Sequence, residues 1–148
     1  MGCGVSVIRV NGYEFPLELY YHEEHCWVKV EGEVVRIGFN DFGAKLAGKI
    51  KHVDVPFEGD ELEQGKPFGT IESGKWIGKL IAPLSGTVTQ ANEELLDNPS
   101  LINEDTYGRG WIAILKPSKL EEELKKLYHT PEQIRSWIER EIKEHVKK

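Results

Sequence analysis

Thr70-Ile71-Glu72-Ser73-Gly74-Lys75-Trp76-Ile77-Gly78-Lys79-Leu80 places one lysine at the tip of what its patterning predicts to be a tight β-hairpin. Ahead of the turn Phe68, Thr70 and Glu72 alternate with Gly69, Ile71 and Ser73. Beyond it Trp76, Ile77, Leu80 and Ile81 resume an apolar pattern, so two short strands flank Gly74-Lys75. A Gly-X pair suits a type II′ turn, whose first central residue needs positive φ; the expectation is a left-handed Gly74 with the Lys75 ammonium at the apex, in water. On spacing alone Lys75 reads as an ordinary solvated turn lysine. Gly69 to Lys75 also fits the first seven positions of a phosphate-binding loop. The fit fails at the eighth, where Trp76 replaces the magnesium-binding hydroxyl and Ile77, Gly78 and Pro83 oppose the helix that should follow.

Composition narrows the classes. With 148 residues and 39% hydrophobic content, one domain with an appended helical segment is expected, with a single core. No apolar run approaches the roughly twenty residues needed to cross a bilayer, so no transmembrane segment is expected. A formal charge of −6, without a Lys/Arg stripe interleaved with aromatics, argues against nucleic acid as a partner. Cys3 and Cys26 are too few for a disulfide framework, which points to a reducing, cytoplasmic compartment. His22 and His25 near Cys26 raise a metal site. Strand alternation would spread the three over different faces and a fourth ligand is missing, so no metal is expected. Nor is there a Ser-His-Asp arrangement, and no catalytic residue is assigned.

Along the chain, Met1-Gly2-Cys3-Gly4-Val5-Ser6 matches an N-myristoylation signal loosely and reads rather as a frayed or self-docked extension. Val5 to Val10 is a predicted strand closed by an Asn11-Gly12 turn. Cys26 to Val30 and Val34 to Phe39 form a hairpin around Glu31-Gly32-Glu33, after which Asn40 caps a short helix through Leu46 that Gly48 ends. Lys49 to Val55, Gly86 to Ala91 and Trp111 to Leu115 are further strands, and Glu93 to Leu96 is one helical turn. Ser118-Lys119-Leu120-Glu121 and Thr130-Pro131-Glu132-Gln133 read as capping boxes. The second opens a helix whose Ile134, Trp137, Ile138 and Ile142 share a face, expected to pack on the chain's own domain.

Several motifs in one order carry a family likeness. Glu72-Ser73-Gly74-Lys75 followed by Ala82-Pro83-Leu84-Ser85-Gly86-Thr87-Val88 resembles the lipoyl-lysine hairpin and next strand of the glycine cleavage system H protein family. Tyr21-His22-Glu23-Glu24-His25-Cys26-Trp27-Val28 is similar to its opening Tyr-x-x-x-His-x-Trp-Val. Gly38-Phe39-Asn40-Asp41-Phe42, Val55-Pro56 with Gly59-Asp60, and Asp97 to Asn103 with Tyr107-Gly108-Arg109-Gly110-Trp111 continue the likeness.

The resemblance covers about residues 20–117. It implies a mainly β, lipoyl/biotinyl-type flattened β-barrel (hammerhead) of two interlocked sheets, with short helices and a C-terminal helical extension. The expected divisions are an N-terminal extension (1–19), a lipoyl-carrier domain (20–117) and a C-terminal helical extension (118–148). The implied cofactor is lipoate, joined by an amide to Lys75, with Glu72 recognised by a lipoate ligase or lipoyl transferase and Gly74 and Trp76 flanking the arm. The implied role is that of a monomeric, non-catalytic carrier. It would take the aminomethyl group of glycine from a pyridoxal-phosphate glycine decarboxylase to a tetrahydrofolate-dependent aminomethyltransferase, with dihydrolipoamide dehydrogenase restoring the disulfide.

Departures open alternatives. The family usually reads Ser-Val-Lys-Ala where this chain has Ser73-Gly74-Lys75-Trp76, and has acidic residues where Lys49 and Cys26 stand. Gly74-Lys75-Trp76, Leu46-Ala47-Gly48-Lys49-Ile50 and the extension look like the H-like lipoate-binding proteins that serve heterodisulfide-reductase-like complexes in sulfur oxidation. There the arm would carry sulfur intermediates or electrons. A non-lipoylated interaction homologue, with the Trp137 stripe facing a partner, is the third reading.

Overall fold

The computed structural model describes residues 6–145; the myristoylation-like Met1-Gly2-Cys3 lies outside them. The strands are β1 (Val7–Val10), β2 (Tyr13–Pro16), β3 (Tyr20–Tyr21), β4 (Cys26–Glu31), β5 (Val34–Phe39), β6 (Ile50–Val53), β7 (Glu61–Leu62), β8 (Pro67–Ser73), β9 (Ile77–Ile81), β10 (Gly86–Ala91) and β11 (Ala113–Pro117). The helices are α1 (Asp41–Ala47), α2 (Glu94–Asp97), α3 (Leu101–Glu104), α4 (Leu120–Leu124) and α5 (Pro131–His145). The fold is mainly β with short helices, as the resemblance implied.

All pairings are antiparallel. A six-stranded sheet runs β3-β4-β5-β11-β10-β7, a three-stranded one runs β6-β8-β9, and β1-β2 stand as a hairpin. The turn from Pro56 to Asp60 carries the chain from β6 of the smaller sheet to β7 of the larger one. The Gly59 N–H donates to the Val88 carbonyl and the Val88 N–H to the Asp60 carbonyl, both at 2.8 Å, and β7 then pairs with β10.

Period-two alternation in β4 generates two cores. Cys26 and Val28 point into the barrel with Ile37, Ile50, Ile71, Leu80 and Leu115. Trp27 points the other way, into a second cluster with Phe15, Tyr21, Phe42, Ile134, Trp137 and Ile138. Gly38, opposite Trp27 in the ladder, leaves room for the indole, because a Cβ there would come within 2.5 Å of its ring. The stripe predicted for the last helix is thus buried on the chain itself, under the β1–β2 hairpin.

Local signals are realised at most turns. Asn11 and Gly12 both adopt positive φ, the pattern of a two-residue hairpin turn. Asn40 Oδ1 accepts from the Gly43 N–H at 2.8 Å, and Gly48, at φ 90°, ends α1. Thr130 and Gln133 cap reciprocally: Thr130 Oγ1 accepts from the Gln133 N–H, and Gln133 Oε1 from those of His129 and Thr130. The first capping box does not form. Lys119 occupies the N-cap of α4 with no side-chain bond. The Ser118 N–H donates to the Ser85 carbonyl instead, and buried Glu123, one turn on, accepts from the Ser85 N–H and hydroxyl at 2.7 Å each. Docking on the barrel outcompetes the local cap.

His25 and Glu141 tie α5 to the loop before β4. His25, itself at φ 81°, is stacked on Trp137, and its Nε2 lies 2.8 Å from Glu141 Oε1. That bond, foremost, holds the Glu141 carboxyl below its usual range. A depressed folded-state value means this stabilisation is complete above the ordinary Glu range and is lost as pH falls through the folded value. Thermal melts of the wild type and Glu141→Gln at about pH 7 and about pH 3 should therefore differ at the higher pH and converge at the lower. Equal differences at both would disprove the contribution.

Candidate functional site

The lysine turn stands at the end of the β6-β8-β9 sheet. Ile71 and Leu80 anchor its two strands in the barrel core, while Glu72 and Ile77 pair across the ladder just below the turn. Gly74, Lys75 and Trp76 lie outside the strands. The Ser73 N–H donates to the Trp76 carbonyl at 2.8 Å, and Ser73 Oγ accepts from the Lys75 N–H at 3.3 Å.

The type II′ expectation is overturned here. Among the described residues the positive-φ glycines are Gly12, Gly32, Gly48, Gly59 and Gly65, and Gly74 is not one of them. The Ser73 hydroxyl caps the turn from within, so the reversal does not need the mirror-image conformation at Gly74. A Cβ at Gly74 would meet only the end of the Lys51 side chain, at 3.5 Å.

Lys75 is exposed, and its stem leans over the end of α1: a Cβ on Gly48 would stand 3.1 Å from Lys75 Cε. Between the turn and the α1–β6 corner lies a groove of about 290 Å³, walled by Ala47, Gly48, Ser73 and the stems of Lys49, Lys51 and Lys75. Among the described residues, none of these three lysines forms an ion pair. Asn103 braces the α1–β6 corner from behind. Its Oδ1 accepts from the Ile50 N–H at 2.8 Å and its Nδ2 donates to the Gly48 carbonyl at 2.9 Å.

Trp76 and Glu72 fall on opposite sides of the hairpin. The indole, 41% exposed, folds back over Gly78, where any Cβ would overlap its ring. Glu72 is exposed on the outer face with His52 and Ile77; Ile77 is itself 66% exposed. The hairpin alternation thus brings Lys75, Gly74 and Trp76 together and leaves Glu72 to one side. Chemically the site offers an exposed primary amine on a hydrogen-bonded turn, suited to acylation at Nζ.

Two neighbours of Lys75, and the residue that holds one of them in place, were not legible as such. Gly48 reads in the sequence as a helix stop, Lys51 as a strand residue and Asn103 as part of a motif without a role. No local signal joins them to a turn some 25 residues away. Asn103→Leu, which strips the Ile50 N–H and the Gly48 carbonyl of their partners, should cost about 1–3 kcal/mol by urea unfolding. An unchanged midpoint would show that water replaces it.

His22, His25 and Cys26 do not gather. Cys26 is buried in the barrel core, where desolvation pushes its thiol up to about 12, and His25 faces Glu141. Among the described residues the potential ligand group is Glu141, Glu144 and His145, on α5. Among the described residues no helix is long and apolar enough to cross a membrane.

The glycine cleavage H-protein family model matches residues 19–141. A glycine cleavage system H protein of Halalkalibacterium halodurans is 50% identical over 103 residues, 70% of this chain and 80% of that protein. Glycine cleavage system H protein 2 of Aquifex aeolicus is 44% identical over 141 residues, 92% of this chain and 88% of that one. The crystal structure of a glycine cleavage system H protein from Mycobacterium marinum superposes with a TM-score of 0.67 at 27% identity, over 76% of this chain and 98% of that one.

Proposed function

The chain belongs to the glycine cleavage H-protein family, and from that premise we propose that it is a lipoyl-lysine carrier of glycine cleavage with Lys75 as the attachment residue. The observation that carries the assignment is an exposed lysine, free of ion pairs among the described residues, at the tip of a hydrogen-bonded hairpin, its stem laid in the notch left by Gly48. A side chain at position 48 would push that stem away, so the notch suits a lysine that must hold an acyl group at a fixed root. Lipoate would supply a strained cyclic disulfide able to accept a fragment and two electrons together.

The chain's own contribution is presentation. Ser73 caps the turn, Ile71 and Leu80 anchor its strands, and Lys75 Nζ gives up its charge on forming the amide. Glu72, on the outer flank, is the residue assigned to recognition by the lipoate ligase. The carrier would pass the aminomethyl group of glycine from the pyridoxal-phosphate decarboxylase to the tetrahydrofolate-dependent transferase, the dehydrogenase then reoxidising it. Tethering keeps the arm at high effective concentration for each enzyme. We assign residues 20–117 to the carrier domain, with the segments on either side as extensions.

Intact mass after co-expression with a lipoate ligase tests the assignment: one lipoyl group should be gained, on a Lys75-containing peptide. The exposed Trp76 favours one second reading, the sulfur-system carrier, because an indole buries on the order of 150–250 Å² when it packs and stands where each enzyme must dock. Exchange of glycine with labelled bicarbonate separates the two. For a glycine cleavage carrier, lipoylated wild type is active and Gly74→Val with Trp76→Ala brings no gain; a dead wild type rescued by the pair points to the sulfur system.

A further inference from the structure

An enzyme that works on a tethered arm must admit the arm through a mouth, so whatever surrounds the arm's root is pressed against the rim of that mouth. Here the surroundings are basic. Lys49 and Lys51 wall the groove beside Lys75 and are exposed, and neither has a carboxylate partner among the described residues. Gly74 lies against Lys51, its notional Cβ being 3.5 Å from Lys51 Cε, so this lysine adjoins the turn itself. Lys51 owes its position to an irregularity in the ladder. The register of β6 against β8 shifts between Ile50 and His52, leaving Lys51 unpaired and set apart from the outer-face alternation of His52 and Glu72.

The location is set against the whole. The chain carries 25 acidic and 19 basic residues for a net charge of −6, yet among the described residues the groove next to Lys75 is walled by three lysines and no acid. Acylation neutralises Lys75, so Lys49 and Lys51 remain as the fixed charges. The half-exposed indole of Trp76 lies beyond them, on the side of the turn away from Glu72. A basic rim next to one apolar anchor is an interface pattern.

We propose that Lys49 and Lys51 form a basic docking face whose partner is an enzyme with an acidic rim around the mouth that receives Lys75. The inference rests on the carrier reading. That enzyme is the lipoate ligase, which must bring an activated acyl carbonyl to Lys75 Nζ. The amine attacks the carbonyl of the lipoyl adenylate, the new C–N bond forms as the acyl–phosphate bond breaks, AMP leaves, and the ammonium proton passes to solvent. In the docked complex Lys49 and Lys51 act before that step, by steering and orienting the encounter.

The probe is the lipoate ligase of the source organism, with ATP, lipoate and the full-length chain as acceptor. For the wild type, kcat/KM should fall several-fold between about 20 and about 200 mM salt. Lys49→Glu with Lys51→Glu should lower kcat/KM about tenfold at low salt, mainly through KM, and reverse the sign of the salt dependence. Lys49→Gln with Lys51→Gln should fall between and show little salt dependence; it also serves if the glutamate pair fails to fold. Modification that ignores salt, or charge-reversed acceptors modified as fast as wild type, overturns the docking face while leaving the carrier reading intact. A wild type that gains no lipoyl group overturns both.

Discussion

Lys75→Arg is expected to abolish lipoylation completely and to leave the fold unchanged. Arginine keeps the positive charge on a turn where Lys75 makes no ion pair with any described residue, so stability should stay within about 0.5 kcal/mol of wild type. Its guanidinium stays protonated and does not form the amide, so intact mass after co-expression with ligase should show no added group. Lys51 and Lys49 stand beside the same groove and make the prediction selective. On the proposed assignment the modification needs an amine at the apex, with the chain reversal held by Ser73, and a lysine on the groove wall lacks that presentation. A variant that still gains one lipoyl group would place the arm on one of these neighbours and overturn the attachment site.

The second large effect is expected far from the turn. Trp137 is completely buried, stacked on Tyr128 with ring centroids 4.7 Å apart and on His25 at 5.3 Å, and lies 6.2 Å from the rings of Phe15 and Tyr21. Trp137→Ala should cost about 3–5 kcal/mol, since the aromatic shell around it closes only partly. For a chain of this size that lowers the melting temperature by about 10 °C. The indole Nε1 has no hydrogen-bond partner among the described residues, so Trp137→Phe gives up area but no such bond and should cost much less. A loss below about 1 kcal/mol for the alanine variant would mean that α5 docks independently of this side chain. Lipoylation of folded Trp137→Ala should proceed at the wild-type rate, because the second cluster and the β8–β9 turn belong to different sheets.

The burial of Trp137 also bears on the third reading. An apolar helical stripe in the sequence is compatible with either an internal or an external partner. The β1–β2 hairpin and the turn after it supply the internal one, with Val10, Phe15 and Leu19 in one cluster with Ile134 and Ile138. The helix is therefore part of the chain's own packing, and its apolar face is not offered to another molecule.

What the sequence determined by itself was everything whose cause lies within a few residues. The hairpin strands around Lys75, the Asn11-Gly12 turn, the Asn40 cap and the Thr130 box all rest on side chains or glycines acting on their nearest backbone. The order of its motifs was enough for the family. Tertiary structure decided the rest. The turn conformation at Gly74 went against the dipeptide rule because Ser73 offered a competing hydroxyl. The Ser118 cap was lost to Ser85 and Glu123, and α3 formed where only a motif had been read. Above all, the neighbourhood of Lys75 depends on α1 ending opposite the turn, with Asn103 holding Gly48 across 55 residues of chain. Periodicity reports which face of an element is buried; which element meets that face is settled by how all the buried surfaces close on one another at once.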